Sequence, residues 1–450
     1  MGRLFGTDGA RGVANTELTC ELAMEIGRAA AMVLTEVTHR RARIVIGKDT
    51  RISSDMLESA LIAGICSVGA DALTLGVIPT PAVAYLVKHY GADAGVMISA
   101  SHNPVEYNGI KIFNGEGYKL SDALEDRIES IVIDKKEKPP VRSGTEIGRI
   151  SRQKDAVNDY IAHLVTAVGG KLGDGLRIAV DCANGSASAT APFLFANIGA
   201  ECEIINASPD GTNINAACGS THIEGLSKFV RENGCDIGVA FDGDADRCLA
   251  VDENGELIDG DKLIAIFAKS LSERDSLPHK TAVVTMLSNI GFFKFARENG
   301  INVSTTNVGD RNVLENMLAN GYVLGGEQSG HIILLDHATT GDGELTAVTL
   351  LKILLASGLK ASELAGVMRS YPQVMVNVTV GPEGKSKLPR DKEVTDAVKS
   401  VEQKLGSDGR VIVRASGTEP LIRVMLEGSD RAEIEDYANG LAKLIKTRLA

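Results

Sequence analysis

Two short polar segments carry residue types suited to phosphoryl transfer. Ser101-His102-Asn103-Pro104 offers a hydroxyl directly after the apolar run Gly95–Ser99. Asp242-Gly243-Asp244-Ala245-Asp246-Arg247 sets three carboxylates at alternate positions after a second apolar run, Ile237–Phe241. Carboxylates this close repel one another and raise their own pKa values unless a cation sits among them. A hard divalent ion with oxygen ligands relieves that repulsion, and Mg2+ also pairs with phosphate. A hydroxyl nucleophile beside a carboxylate-held metal points to phosphoryl transfer. In an extended loop the alternate positions turn the three side chains one way. Gly243 lets the backbone fold around the ion.

Competing readings of these residues fail on spacing. Glu253 stands twelfth from Asp242, as in an EF-hand, but the sixth position is Arg247 where that loop needs glycine. The flanks IGVAF and CLAVDEN also read as strands rather than helices. Ser101 sits between Ala100 and His102, so the G-x-S-x-G elbow of a hydrolase is absent. His102 is the sequence neighbour of Ser101, and adjacent side chains are expected to diverge. Asn103-Pro104 fixes a turn, and Tyr107-Asn108-Gly109 suggests a hairpin that returns Lys111 to the serine. There an ammonium would offset the charge of a phosphorylated serine.

Two further loops have the right chemistry for a sugar phosphate. In Gly326–His331, GEQSGH, Glu327 and Ser329 alternate on one side and suit sugar hydroxyls, while His331 can move a proton near neutral pH. Arg414-Ala415-Ser416-Gly417-Thr418, with Arg423, reads as a phosphate clamp of backbone N–H groups, two hydroxyls and guanidinium donors. Gly384-Lys385-Ser386 is not a P-loop, because Thr379 stands where that motif requires glycine.

The elements that must position these loops are written three times. Each unit opens with a β-rich run: ARIVIGKDTR from Ala42, LRIAVDCANG from Leu176, TAVVTMLSN from Thr281. A helical stretch, a glycine and a second strand follow, at Gly69, Gly199 and Gly300. A further helix leads to a third strand and loop, from Gly91, Gly234 and Gly321. The middle unit is longer because of an insertion around Thr212–His222. Alternating strands and helices predict parallel sheets with helices on their faces, and such sheets bind ligands beyond the carboxyl ends of their strands. Ser101, the Asp242/Asp244/Asp246 trio and Glu327/Ser329 therefore fall at matching places in successive units. From about Tyr371 the pattern changes to strand (QVMVNVTV), helix (391–405), strand (GRVIVRAS), turn (GTEP), strand (LIRVMLEG) and a last helix, a small α+β domain. Linkers are expected near residues 142–155 and 369–372, giving domains 1–150, 151–255, 256–370 and 371–450.

Composition narrows the partners. With 450 residues the chain should hold several domains. A net charge of -12 argues against general binding to nucleic acid or an anionic membrane. No apolar stretch reaches the length of a membrane span, and MGRLFGTDGARG lacks the apolar core of a signal peptide. Seven cysteines without a Cys-x-x-Cys pair predict neither disulfide framework nor zinc site, and a reduced cytoplasmic setting.

Taken in order, the motifs resemble those of the α-D-phosphohexomutase superfamily over the whole chain. They are FGTDGARG (5–12), GKDTR (47–51), SASHNP (99–104), DGDADR (242–247), VGDR (308–311), GEQSGH (326–331) and RASGTEP (414–420). Gln328 makes the sixth motif similar to the superfamily's glucosamine branch. The resemblance implies a heart-shaped α/β enzyme: three similar domains with mixed sheets, a C-terminal α+β domain, and a central active-site cleft. It implies that Ser101 is phosphorylated and donates its phosphoryl group to the sugar, with one Mg2+ held by Ser101, Asp242, Asp244 and Asp246. Arg247, Lys111, His102 and His331 are the implied charge and proton groups. Thr7, Arg11, Lys48, Gly309, Asp310, Glu327, Ser329, Arg414, Ser416, Gly417, Thr418 and Arg423 are the implied substrate contacts. The implied reaction interconverts hexosamine 6- and 1-phosphates, with glucose or glucosamine 1,6-bisphosphate as activator and intermediate, for cell-wall precursor synthesis. Mannose or glucose phosphates are the alternative substrates, and a homodimer is an open possibility.

Overall fold

In a computed structural model of the chain, the structure describes residues 3–6, 8–36, 40–173, 175–416 and 420–450. They form two compact units, one of Met1–Leu287 with Ile301–Val367 and the other of Ser288–Gly300 with Met368–Ala450.

The first unit holds three sheets. The first contains β1 (Phe5–Gly6), β2 (Gly9–Val13), β3 (Arg43–Lys48), β4 (Asp71–Val77), β5 (Ala94–Ile98), β6 (Tyr107–Asn114) and β7 (Ile150–Arg152), in the order β1-β2-β6-β5-β3-β4-β7. The second contains β8 (Arg177–Asp181), β9 (Glu201–Ile205), β10 (Ile237–Phe241), β11 (Cys248–Asp252) and β12 (Leu257–Ile258), in the order β12-β11-β10-β8-β9. The third contains β13 (Thr281–Thr285), β14 (Asn302–Thr306), β15 (Leu324–Gly326) and β16 (Ile332–Leu334), in the order β14-β13-β15-β16.

The sequence repeat is visible in this order. In every unit the first strand lies between the second and the third, all parallel, and a fourth strand (β6, β11 or β16) pairs antiparallel with the third. The third strands of the first two units, AGVMI and IGVAF, are buried at every position. That is why they appear in the sequence as continuous apolar runs rather than alternating ones. Each third strand ends at its polar loop, so Ser101, Asp242 and Glu327 occupy equivalent positions, as the repeat predicted. The sheets are mixed because the antiparallel fourth strand follows directly.

Residues 142–155, expected as a linker, contain a short 3-10 turn (Gly144–Glu146) and β7, which extends the first sheet beside β4. Arg41 supports this segment by donating to Ile147 O at 2.9 Å and Thr145 O at 2.8 Å.

The second unit follows the predicted α+β pattern. β17 (Gln373–Thr379), β18 (Arg410–Ala415) and β19 (Leu421–Glu427) form an antiparallel sheet in the order β17-β19-β18. Ile422, Val424 and Leu426 alternate along β19 and pack with Ile434, Leu441 and Ile445 of the helix Arg431–Leu449. The helix Ile290–Glu298 also belongs to this unit. Its first N–H is 3.1 Å from the Glu427 carboxylate, and Asn289 donates to Tyr371 O at 2.9 Å. No helix among the described residues is long and apolar enough to cross a membrane, and all seven cysteines are free.

Candidate functional site

Ser101 follows β5 with its backbone in the left-handed region, φ 53°. It is buried, and its Oγ donates to Asp242 Oδ2 at 2.6 Å. His102 Nδ1 lies 3.2 Å from the same Oγ. This corrects the expectation that the two neighbours diverge: the left-handed residue folds the pair back on itself. Burial, with Arg247 and Arg11 nearby, lowers the His102 pKa to about 4, so its imidazole is neutral at pH 7.

The acid loop also converges by a different route from the one expected. It is a turn rather than an extended segment, with Ala245 at φ 55° and its N–H bonded to Asp242 O at 3.0 Å. One carboxylate oxygen from each of Asp242, Asp244 and Asp246 lies within 4.8 Å of the others. Gly243 is required by close approach: a Cβ there would sit 2.5 Å from Ser101 O and 2.9 Å from Asn215 Nδ2. Burial, then Asp246 and Asp244, push the Asp242 carboxyl well above its usual range. Asp244 Oδ1 and Asp246 Oδ1 are buried and accept no hydrogen bond among the described residues. Three converging carboxylates, two with bare oxygens, fit a hard divalent cation.

Lys111 reaches this cluster from the middle of β6, where it pairs with Met97. Tyr107-Asn108-Gly109 lies within the strand and not at the hairpin's turn. The buried ammonium lies 2.7 Å from Asp244, 3.1 Å from Asp246 and 3.0 Å from Asp8. Burial alone would depress this lysine, but Asp244, Asp246 and Asp8 hold it well above the usual value. The charges continue outward, as Asp8 also pairs with Arg11 and with Lys119, and Lys119 pairs with Asp310. Asp310 Oδ2 lies 3.7 Å from His331 Nε2. A chain of ion pairs from Lys111 through Asp8 and Lys119 to Asp310 thus ends beside His331.

Arg247 is mostly buried, with its N–H 3.3 Å from Asp242 Oδ1 and its Nε 3.9 Å from Asp246. GEQSGH forms the tight connection between β15 and β16, with Glu327 N–H bonded to His331 O at 3.0 Å. Glu327 Oε1 accepts from Gly309 N at 3.0 Å, which ties the loop to the VGDR segment. Ser329 Oγ and both His331 ring nitrogens are buried and make no hydrogen bond among the described residues. Lys48 stands apart from this group, pairing with Asp55 at 2.6 Å and with Glu58 on the following helix.

In the second unit, Arg414 and Arg423 are direct partners across β18 and β19. Partial burial and the Arg423 charge lower the Arg414 pKa. Ser416 is buried, and its N–H bonds Leu421 O at 2.9 Å. Thr7, Gly417 and Thr418 lie outside the described residues.

Sequence reasoning gave no roles to Asp8, Lys119, Asp49, Arg51 or Asn215. Asp8, Asp49 and Arg51 lie inside the motifs FGTDGARG and GKDTR, and Asn215 inside the middle repeat's insertion, so their signal was position rather than residue type, while Lys119 had none.

Like α/β domains that deliver a buried serine, a carboxylate trio and a polar hairpin loop to equivalent strand ends define a phosphotransfer enzyme. Residues 2–139, 158–255 and 259–371 match phosphoglucomutase/phosphomannomutase α/β/α domains I, II and III, and residues 375–444 match that family's C-terminal domain. The chain belongs to the phosphoglucomutase/phosphomannomutase family and is an isomerase of the phosphohexomutase superfamily. It is 55% identical to the phosphoglucosamine mutase of Acetivibrio thermocellus over 449 residues, covering 100% of both chains. It is also 55% identical to that of Clostridium perfringens over 448 residues, again covering 100% of both. A phosphoglucomutase/phosphomannomutase family protein from Burkholderia thailandensis superposes with TM-score 0.83 at 25% identity, covering 99% of this chain and 98% of that one. An Aspergillus fumigatus N-acetylphosphoglucosamine mutase, solved with GlcNAc-6P and magnesium, shares the fold at TM-score 0.71 and 18% identity, covering 99% and 96%.

Proposed function

We propose that this enzyme interconverts glucosamine 6-phosphate and glucosamine 1-phosphate through a phosphorylated Ser101. The observation that carries the reading is the Ser101 Oγ–Asp242 contact of 2.6 Å inside the carboxylate trio, in a chain colinear with phosphoglucosamine mutases. Asp242, Asp244, Asp246 and an oxygen on Ser101 would hold Mg2+. When bound, that ion supplies positive charge against the transferring phosphoryl group.

The chain's own residues supply the rest. The P–O bond to Ser101 breaks as a new P–O bond forms to a sugar hydroxyl; the hydroxyl proton passes to a neighbouring base, and Ser101 Oγ takes up a proton as it leaves. Lys111, His102 and His331 are the candidate proton carriers, and Arg247 adds fixed positive charge where negative charge develops. The resulting sugar 1,6-bisphosphate turns around and returns its other phosphoryl group to Ser101. Glu327 and Ser329 bind hydroxyls, Gly309 and Asp310 support that loop, and Thr7 and Arg11 add substrate contacts. Arg414, Ser416, Gly417, Thr418 and Arg423 grip the phosphate that is not reacting. Lys48 would join them only by leaving Asp55 and Glu58. The functional loops belong to domains 1–150, 151–255, 256–370 and 371–450. Glucose 1,6-bisphosphate serves as activator, and the product feeds amino-sugar precursors of the cell wall in the cytoplasm. Hexosamine phosphates are the partners, with neither nucleic acid nor membrane, and a homodimer as the assembly.

A coupled assay tests this with glucosamine 6-phosphate, Mg2+ and catalytic glucose 1,6-bisphosphate, alongside glucose and mannose phosphates. Preferred glucosamine turnover is expected. Preference for glucose or mannose phosphate would overturn the substrate, and isomerisation of none would overturn the reaction.

A further inference from the structure

The serine loop is held by two side chains from distant parts of the sequence. Arg51 lies just ahead of the helix Ile52–Ser67 and is 2% exposed. Its Nη2 donates to Ser101 O at 2.9 Å and to Asn103 O at 2.7 Å, and its Nη1 donates to Pro104 O at 2.5 Å. Its Nε donates to Asp49 Oδ2 at 2.9 Å. Asp49 is itself fixed by the Ser99 hydroxyl at 2.7 Å and the Ser54 hydroxyl at 2.8 Å. The second holder comes from another domain. Asn215 Nδ2, in the insertion of the middle unit, donates to Ser101 O at 2.9 Å and Asn103 O at 3.2 Å.

These contacts converge on a segment with no strand or helix to define it. Ser101 adopts a left-handed backbone that a non-glycine residue keeps only when its surroundings over-determine it. Its carbonyl is buried against Gly243, and a buried carbonyl needs donors. Arg51 and Asn215 supply them, and both grip the same two carbonyls. With the peptide after Ser101 fixed, the Oγ is aimed at Asp242.

We propose that Arg51 and Asn215 are positioning residues that orient Ser101 for phosphoryl transfer. The inference rests on the reading of Ser101 as phosphoryl carrier. A guanidinium is needed at position 51 because its planar fork reaches three carbonyls and Asp49 at once, which a lysine cannot do. Misplacing a reacting atom by about 1 Å costs on the order of a hundredfold in rate.

The test compares wild type, Arg51→Lys and Asn215→Ala. It measures kcat and KM for glucosamine 6-phosphate, the rate at which glucose 1,6-bisphosphate phosphorylates Ser101, amide exchange across 99–104, and folded fraction by denaturation. Each variant should lose about 10- to 100-fold in kcat, and in Ser101 phosphorylation rate, with KM within about threefold of wild type. Amide exchange in the loop should quicken. Unchanged kcat in both variants overturns the proposal, as does a loss that only tracks the folded fraction. If Arg51→Lys does not fold, Asn215→Ala decides. A wild-type enzyme that isomerises no sugar phosphate would instead sink the reading of Ser101, and loop exchange would then report on the clamp alone.

Discussion

Charge is handled differently at the acid loop and at the C-terminal arginine loop. Around Asp242–Asp246 lysines answer part of the acid charge, and the bare Asp244 Oδ1 and Asp246 Oδ1 are left to a cation. Lys111 faces Asp8, Asp244 and Asp246, and Lys119 faces Asp8 and Asp310. Arg414 and Arg423 instead stand directly opposite each other on adjacent strands, an arrangement of like charges that weakens a sheet. The acid loop arranges its polar groups before any ligand arrives, which suits transfer chemistry. Two guanidinium side chains on paired strand positions match the two charges of a phosphate dianion, as the proposed grip requires.

The largest effect should come from removing the serine. Ser101→Ala should cut turnover by about four orders of magnitude or more. Calorimetry should find sugar-phosphate affinity nearly unchanged, because the arginine loop is intact. A large loss of affinity would erase the division between transfer and grip.

The acid loop comes next. Asp244→Asn removes one carboxylate from the trio and weakens the acceptor of Lys111 and of the Thr80 hydroxyl, 2.5 Å away. A loss of about a hundredfold or more in kcat is expected, with a raised metal requirement on titration with Mg2+ after chelation. Full activity in the chelated variant would remove the metal site from this loop.

At the other region, Arg414→Ala or Arg423→Ala should raise KM by about tenfold to a hundredfold, corresponding to one lost charged hydrogen bond. The kcat should change less. A kcat loss with constant KM would make this loop part of the chemistry and collapse the comparison.

The smallest effect sharpens the contrast in buried charge. Asp342 caps the helix Gly343–Ser357 through Leu345 N at 2.9 Å and accepts from the Tyr160 hydroxyl at 2.9 Å. Burial pushes its pKa up to about 7, whereas the unfolded chain releases that proton near pH 4. Between those values the folded state holds the extra proton, so this group's stabilising contribution falls as pH rises from about 4 to about 7. Asp342→Asn keeps the cap and should flatten that part of the denaturation profile. An identical slope in both proteins would contradict the raised pKa.

The motifs and the repeat were legible in the sequence because they are local. Apolar runs of five residues ending in polar loops named the third strands of the first two repeats, and the glycines marked where each repeat turned. The geometry inside the loops was less legible. His102 approaches Ser101 through a left-handed backbone that residue types do not announce. Lys48, implied by its motif as a substrate contact, is paired with Asp55 and Glu58.

The sequence by itself determined the reacting types, a hydroxyl and three carboxylates, and the strand ends that carry them. Short-range periodicity and turn chemistry are enough for that. Only the tertiary structure decided that Ser101 meets Asp242, that Lys111 reaches Asp244 and Asp246 from the middle of a strand, and that Arg51 and Asn215 grip the serine loop. Those contacts join residues from separate elements and domains. Their distances follow from how buried sheets and helices pack, and no spacing along the chain records them.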